Sequence, residues 1–270
     1  MKKRMMLYFG SFDPVHRGHI ALAEYVVEHD LADETVLVVS PQSPYKQGLL
    51  PAPETDRFEM AEIACAASKY PERIKPSAIE FLLPRPSYTI DTLRYLEQTC
   101  GGEMEFAILM GGDQIAALDG WKEYEKVLEY PIYVYPRRGE RAERHRDRIV
   151  LLEDAPLQDF SSTEVRAAIE RGDDTSRMLV PGVADYIRRK GLWSPGRRKA
   201  ALDGALAADP ANTGLLLERG RLHHRLSEWG AALNDFNAVL RLDPACEEAR
   251  QYIDMIQEIL AFRYKDIYNP

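Results

Sequence analysis

The fold of this chain is decided by the segment Leu7-Tyr8-Phe9-Gly10-Ser11-Phe12-Asp13-Pro14-Val15-His16-Arg17-Gly18-His19. Its first part belongs to a short apolar run, Met5 to Phe9, which is typical of a buried strand. Gly10 ends that run, since glycine permits a tight turn close to a ligand. From Gly18 onward, apolar residues recur at helical spacing. The segment therefore predicts a strand, a loop and then a helix.

Two histidines lie in the predicted loop, just where the helix begins. His16 and His19 are three residues apart, and backbone N–H groups and the helix dipole favour anions at a helix N-terminus. Imidazoles can also donate hydrogen bonds to phosphate oxygens. The pattern indicates a place to hold phosphate, although a lone His-x-x-His pair is a weak signal.

Strand and helix patterns alternate through the first two thirds of the chain. We predict six strands, at Met5–Phe9, Glu34–Ser40, Ile74–Phe81, Glu105–Met110, Ile132–Tyr135 and Ile149–Leu152. Helices are predicted between or after them, among them one capped by Thr55 or Asp56, one after Thr89, one at Trp121–Leu128 and one at Glu164–Arg171. This alternation predicts an α/β fold, a parallel sheet with helices on both faces. Such sheets bind ligands beyond the carboxyl ends of their strands.

Composition narrows the classes of partner. The chain has 270 residues, 45% hydrophobic content and a formal net charge of −8, which favours a small-molecule ligand and argues against a broad nucleic-acid surface. The sequence contains no apolar run of about 18 residues, so we expect no membrane span. The basic N-terminus leads into only about five apolar residues, which is too short for the apolar region of a signal peptide. We therefore expect a cytoplasmic protein. Its three cysteines fit neither a disulfide framework nor a zinc site.

The pattern changes after Trp193. Ser194-Pro195-Gly196 has the composition of a linker, and the remainder is helical in character. Asp209-Pro210 and Asp243-Pro244 recur 34 residues apart, which is the period of tetratricopeptide (TPR) repeats. The TPR pattern has small residues at the positions of Gly220 and Ala232 and an aromatic residue at the position of Phe236. A generic pair of amphipathic helices is the alternative.

Four further motifs follow the histidine segment in order: Ser87-Tyr88-Thr89-Ile90-Asp91-Thr92-Leu93, Gly111-Gly112-Asp113, Gly120-Trp121 and Ser161-Ser162-Thr163-Glu164-Val165-Arg166. The histidine segment itself is similar to the signature Gly-[ST]-Phe-[DN]-Pro-x-His-x-Gly-His. Together they resemble the bacterial nicotinate-nucleotide adenylyltransferases of the His-x-Gly-His nucleotidyltransferase superfamily. The resemblance implies a Rossmann-like fold, Mg²⁺ bound through ATP phosphates, and a reaction of nicotinate mononucleotide with ATP that gives deamido-NAD and pyrophosphate. We expect this nucleotidyltransferase domain at 1–193 and a small all-α TPR-like domain at 197–270.

The resemblance also implies site residues. ATP is expected on Gly10, Ser11, Phe12, His16, Gly18, His19, Ser162, Thr163 and Arg166. The mononucleotide is expected on Lys46, Tyr88, Thr89, Gly111, Asp113, Trp121 and Arg137. His16, His19, Lys46 and Arg166 are the four candidate catalytic residues, because catalysis here requires neutralising two polyanions. No protein metal ligand is expected.

Particular roles follow for single residues. Trp121 would stack on the pyridine, or else pack in the core; Thr89 would hydrogen-bond the carboxylate. Asp113 would bind ribose hydroxyls or orient the metal. Arg137 belongs to a loosely matching turn that could equally be a solvated basic loop. Two residues differ from the family pattern. Tyr45, just before Lys46, stands where histidine is common, and Phe9 stands where many members have glycine.

Other functions stay open at this point. The nearest is an adenylyltransferase of the same fold that uses nicotinamide mononucleotide or, less well matched, phosphopantetheine. A second is a non-catalytic repeat scaffold that senses a nucleotide. A class I aminoacyl-tRNA synthetase shares the histidine loop but needs a longer chain. The predicted repeats, which require stacked neighbours, would serve a protein partner or self-association.

Overall fold

A computed structural model describes residues 2–41, 51–136, 145–156 and 160–267, with side chains to 260. The chain divides into two compact units, the first ending at Lys190 and the second beginning at Gly191. In the described ranges no helix is both long and apolar enough to cross a membrane.

The first unit is built on a six-stranded sheet. Its strands are β1 Lys3–Gly10, β2 Glu34–Val39, β3 Ile74–Ser77, β4 Met104–Gly111, β5 Ile132–Tyr135 and β6 Ile149–Leu151. Their spatial order is β3-β2-β1-β4-β5-β6, and every pairing is parallel. This is the strand order of a Rossmann-like sheet, in which the order reverses between β1 and β4. The predicted parallel sheet is confirmed.

Helices cover both faces of the sheet. They are α1 Arg17–Glu28, α2 Glu54–Ala66, α3 Thr89–Cys100, α4 Gly112–Ala116, α5 Tyr124–Val127, α6 Ser162–Arg171 and α7 Pro181–Lys190. Leu7 and Phe9 of β1 belong to one buried cluster that includes Ile90 and Leu93 of α3. On the opposite face, Thr35 of β2 donates a hydrogen bond to a carbonyl of α1. Both faces are therefore packed, which explains the continuous apolar strands.

Three predicted elements differ from the structure. The helix predicted at Trp121–Leu128 is confined to α5, because Glu123 has a left-handed φ of 48° that a continuous helix does not allow. Pro53 occupies the position before α2, so the predicted cap at Thr55 or Asp56 is wrong. The strand predicted to reach Phe81 ends at Ser77, and a short 3₁₀ turn, Ile79–Leu82, follows it.

The second unit is helical throughout its described part. It contains α8 Pro195–Ala208, α9 Thr213–Arg225, α10 Trp229–Leu242 and α11 Glu247–Ile267. Phe236 and Val239 of α10 pack in a buried cluster with Leu206, Leu216 and Ile256 of the other three helices. Arg219 of α9 forms ion pairs with Asp203 of α8 and Asp235 of α10, so polar contacts also join these helices.

Candidate active site

The histidine loop, residues 10–19, leaves the carboxyl end of β1 at the position where the strand order reverses. Its conformation is tightly constrained: Phe12 has a left-handed φ of 45°, which is uncommon for a residue other than glycine. The Phe12 ring folds back over Gly10, so a Cβ atom at Gly10 would lie 3.0 Å from the ring. Glycine at position 10 therefore avoids a tight contact with the Phe12 ring.

The two histidine rings stack on each other. Their centroids are 3.6 Å apart with an angle of 24° between the planes, and both side chains are buried. The backbone N–H of His16 donates to Nδ1 of His19 at 3.1 Å. Because Nδ1 accepts, a neutral His19 carries its proton on Nε2 and can donate from there. The geometry thus fixes a tautomer that the sequence left open.

Aromatic side chains hold the His19 ring in place. Phe12 meets it edge-on with centroids 5.0 Å apart, and Tyr8 lies 5.9 Å from it. The Tyr8 hydroxyl lies 3.0 Å from the Tyr135 hydroxyl at the end of β5. Gly111 of β4 pairs with Tyr135 in the sheet register.

The N-terminus of α6 docks on the histidine loop. Ser161 caps the helix by accepting from the N–H of Glu164, as the sequence motif predicts. The Ser162 hydroxyl donates to the carbonyl of Pro14 at 2.9 Å. Two helix N-termini, those of α1 and α6, therefore lie at this loop and present partial positive charge to it.

Arg166 joins the same loop from the second turn of α6. Its Nη1 donates to the carbonyl of Asp13 at 2.6 Å, and its Nη2 donates to the Thr163 hydroxyl at 3.1 Å. The Asp13 carboxylate lies 3.6 Å from Nη1. A residue 147 positions after His19 in the sequence is thus brought to the histidine loop.

Buried Asp13 connects the loop to the start of α2. Its carboxylate accepts from the backbone N–H of Ala52 at 3.0 Å. The Arg57 side chain donates to the carbonyls of Ala52 and Ser11. Arg57 was missed by sequence reasoning, although it shares one helical face with Met60, Ala61 and Ala64 and so occupies a core position of α2.

A second group of predicted residues gathers at the start of α3. Tyr88 occupies the position before the helix and Thr89 its first residue; both are half-buried. The Lys122 ammonium lies 5.0 Å from the Tyr88 ring centroid and forms an ion pair with Asp91. Since Lys122 follows Trp121 in the chain, these contacts join the segment that contains Trp121 to the first turn of α3.

Trp121 packs against the core with part of its side chain. Its side chain is half-buried and packs against the core cluster that contains Leu118, while the remainder stays accessible.

Gly111 ends β4, and Asp113 lies in the first turn of α4. Continuing the β1–β4 register two residues past its last pair, Tyr8 and Leu109, places Gly10 beside Gly111. The two groups therefore border the same edge of neighbouring strands.

Two predicted site residues, Lys46 and Arg137, lie outside the described residues. The other fourteen fall in the histidine loop, at the start of α6, at the start of α3, or in the segment that runs from the end of β4 to Trp121. All of these segments belong to the first unit, and the strands concerned end at one edge of the sheet. An edge lined by helix N-termini, imidazoles and a guanidinium suits phosphate groups.

Fold and site together define a nucleotide-binding α/β protein. Residues 7–168 match the cytidylyltransferase-like family, and the chain belongs to that family. Within it, the chain is 37% identical to a Flavobacterium johnsoniae protein named probable nicotinate-nucleotide adenylyltransferase, over 69% of this chain and 97% of the relative. A Bacteroides thetaiotaomicron protein of the same name is 39% identical, over 69% of this chain and 92% of the relative.

A solved structure supports the fold. Plasmodium falciparum nicotinic acid mononucleotide adenylyltransferase, complexed with NaAD, matches with a TM-score of 0.62 and 20% identity, over 71% of this chain and 97% of that one. At this identity the likeness concerns the fold alone.

Proposed function

We propose that this chain is a nicotinate-nucleotide adenylyltransferase, which joins nicotinate mononucleotide to ATP in NAD biosynthesis. The observation that carries the proposal is the convergence of His16, His19 and Arg166 on one loop at the point where the strand order reverses. The names of relatives with at least 37% identity agree with it.

The reaction requires positioning and charge stabilisation. A 5′-phosphate oxygen of the mononucleotide attacks the α-phosphorus of ATP in line, the bond from that phosphorus to the bridging oxygen breaks, and pyrophosphate leaves. The attacking oxygen is already anionic, so neither a general base nor a covalent enzyme intermediate is needed. The protein must hold two polyanions together and stabilise the charge that moves to the leaving group.

Each candidate side chain has a defined part in this scheme. His19 donates from Nε2, since its Nδ1 is occupied by the backbone of His16, and the stacked His16 ring lies beside it. Arg166 keeps N–H groups beyond those given to Asp13 and Thr163, because a guanidinium has five, and these serve the triphosphate. Lys46 is proposed for the mononucleotide phosphate on the family resemblance alone.

The nicotinate end is proposed to bind at the start of α3. The Thr89 hydroxyl and the backbone N–H groups at the start of the helix are hydrogen-bond donors. A carboxylate, which only accepts hydrogen bonds, suits such donors better than a carboxamide does. The accessible part of Trp121 would stack on the pyridine ring, while Asp113 would bind ribose. Arg137 stays a proposal for the same half of the site.

Mg²⁺ is proposed to enter with ATP. Among the described residues, no group of three His, Cys, Asp or Glu side chains could hold a metal ion. We propose that the ion is held mainly by phosphate oxygens, with Asp113 as the candidate to orient it. When bound, the ion neutralises charge on the phosphates.

We also propose that the two units have separate functions. We assign nucleotidyl transfer to residues 1–193 and a TPR-like role to residues 197–270. The helix pairs fit that repeat because Gly220 packs directly against Phe236, at positions where the repeat wants a small and an aromatic residue. A protein partner or self-association is the role we propose for these helices.

Turnover of the full-length chain with each pyridine mononucleotide tests the proposal. We expect pyrophosphate release and a product with the mass of deamido-NAD from ATP and nicotinate mononucleotide. Faster turnover of nicotinamide mononucleotide would instead make the chain an enzyme for that substrate. ATP binding without turnover of either mononucleotide would favour a nucleotide-sensing scaffold.

A further inference from the structure

Arg57 of α2 is one of the most deeply buried charged side chains of the first unit. Only 1% of its surface is exposed. Burial lowers the pKa of its guanidinium, and nearby Asp13 acts in the opposite direction, so the group stays charged as arginines do. A buried charge is costly unless hydrogen bonds compensate it. The reaction scheme above gives this residue no part.

The compensation comes from four backbone carbonyls. Nη1 donates to Ser11 and Ser40 at 2.6 Å each, Nη2 donates to Pro41 at 2.8 Å, and Nε donates to Ala52 at 3.1 Å. Four short bonds from one rigid, planar group fix the main chain more firmly than separate contacts would.

The four carbonyls belong to segments that meet at the site. Ser11 lies in the histidine loop, Ser40 and Pro41 follow β2, and Ala52 precedes α2. Pro41 and Ala52 thus flank residues 42–50, which include the proposed mononucleotide lysine. One guanidinium therefore holds the chain on both sides of that segment against the histidine loop.

The same network extends to the proposed triphosphate arginine. The main chain of Ala52 is held on both sides, by Arg57 at its carbonyl and by the Asp13 carboxylate at its N–H. The carbonyl of Asp13 in turn accepts from Arg166. A displacement at Arg57 would therefore be transmitted through main-chain bonds to the groups that bind both nucleotides.

We propose that Arg57 is a positioning residue for adenylyl transfer, which sets the alignment of the two bound nucleotides by fixing the main chain of Ser11, of Ser40 and Pro41, and of Ala52 relative to one another. The inference rests on the proposed function. Arg57 acts through the main chain, because its buried side chain leaves almost no surface for a substrate to touch.

Arg73 is a matched control at the amino-terminal ends of the strands, away from the candidate site. Arg73 donates from Nε to the carbonyl of Asp33 at 2.7 Å and from Nη2 to that of Ala32 at 3.2 Å. These carbonyls precede β2, at its amino end. Arg73 is thus also an arginine that binds main-chain carbonyls, but away from the site.

The experiment compares the full-length wild type with Arg57→Met, Arg57→Lys and Arg73→Met. For each we would measure kcat, both KM values, the thermal midpoint, and the Kd of ATP by calorimetry. Misplacement of reacting groups by about 1 Å lowers turnover by up to about 100-fold. We therefore expect both Arg57 variants to lose about 10- to 100-fold in kcat, with Arg73→Met close to the wild type even where its midpoint falls equally.

Arg57→Lys separates charge from geometry and also serves if Arg57→Met does not fold. Lysine keeps the positive charge but cannot span four carbonyls, so wild-type kcat in Arg57→Lys would overturn the proposal. A loss no greater than that of Arg73→Met would overturn it as well.

If the wild type released no pyrophosphate, the proposed function would be rejected. The role of Arg57 would then be judged from the Kd of ATP in the variants. In that case weaker ATP binding in Arg57→Lys than in Arg73→Met supports positioning. Equal affinities would overturn it.

Discussion

His19 shows how a single hydrogen bond decides the chemistry of a residue. The bond from the backbone of His16 occupies Nδ1, so the ring presents Nε2–H as a donor. The aromatic contacts of Tyr8 and Phe12 hold this orientation. A donor that is aligned before the substrate arrives needs no reorganisation in the transition state, which is the main source of its effect on rate.

We therefore predict that His19→Ala lowers kcat by about 100- to 1,000-fold, the range for loss of one charge-stabilising donor. Pyrophosphate release under saturating ATP measures it. His29→Ala is the control, because His29 is an exposed histidine just after the other end of the same helix. Turnover of His19→Ala near the wild-type value would remove His19 from the proposed mechanism.

The sequence predicts most residues of the candidate site from local motifs, but it does not point to every residue that the structure brings to the histidine loop. His16, His19 and Arg166 could be predicted because local motifs carry them. Arg57 could not, since its partners are backbone carbonyls from three segments, and carbonyls leave no mark in a sequence. The position of Arg57 on the apolar face of α2 was the one signal in the sequence, and it indicated that the side chain is buried but not what it binds.

Glu80 belongs to the junction where β3, its following 3₁₀ turn and α3 meet. Its carboxyl group is buried and accepts a hydrogen bond from Thr92 of α3 at 2.9 Å. Burial raises the pKa of Glu80, although hydrogen bonds from Ser40 and Thr92 partly oppose this. The acid thus anchors the helix turn that follows Tyr88 and Thr89.

The raised pKa predicts how pH affects stability. Because the native state holds the Glu80 proton more tightly than the unfolded chain, its contribution is fully present below the unfolded pKa of about 4.3. It is lost as pH rises through the higher native value. Glu80→Gln cannot ionise, so its thermal midpoint should rise relative to that of the wild type as pH increases above about 4.3.

An exposed carboxylate provides the control of opposite sign. The hydrogen bond from Lys69 lowers the pKa of Glu28, so the contribution of Glu28 is fully present above the unfolded pKa of about 4.3 and is lost as pH falls below it. Glu28→Gln should therefore lose slightly relative to the wild type as pH rises to about 4.3, and the difference should stay constant at higher pH. Solvent screening keeps that effect small. A midpoint difference between Glu80→Gln and the wild type that stays constant with pH would contradict the prediction.

At the scale of elements, strands were predicted more accurately than short helices. Continuous apolar runs identify strands buried on both faces, so β5 was predicted with its observed bounds and β2 to within one residue. The five-residue helix α4 and the helix α7 were missed. Each depends on contacts made after folding: α4 follows directly from β4, and Tyr186 of α7 donates to buried Asp56 of α2.

The helix pair α9–α10 depends on close approach at one glycine. A Cβ atom at Gly220 would lie 2.7 Å from the Phe236 ring, which is too near for any real contact, and the ring is fully buried. Gly220→Ala should therefore destabilise the second unit by about 1–3 kcal/mol, the usual cost of overpacking. Denaturant unfolding followed by helical circular dichroism measures it.

Gly204→Ala is the matched control within α8. No atom lies within 4 Å of a Cβ atom there, so alanine should stabilise the helix by about 0.5–1 kcal/mol. Neither substitution should alter adenylyl transfer. Equal unfolding free energies for Gly220→Ala and the wild type would show that the two helices do not pack as closely as the structure indicates.

For the molecule as a whole, a negative net charge is compatible with anion binding, because the electrostatic effect of the net charge is screened over distance while the positive groups at the site act at short range. The net charge of −8 is spread over the whole chain and is screened by salt beyond about 8–10 Å. The stacked histidines, Arg166 and two helix N-termini act within a few ångströms of the histidine loop. Local charge therefore sets the class of ligand, while global charge argues only against extended polyanions.

The two units predict that chemistry and the C-terminal helices can be separated. The first unit contains every described site residue, and relatives matched over 97% and 92% of their own lengths correspond to only 69% of this chain. Removing residues 196–270 should therefore leave kcat and both KM values within about threefold of the full chain, since no donor to the transition state is lost. The test compares pyrophosphate release by the two proteins, with circular dichroism to confirm that the shortened chain is folded. A folded but inactive truncation would mean that residues beyond 195 complete the active site, and the assignment of nucleotidyl transfer to residues 1–193 would be wrong.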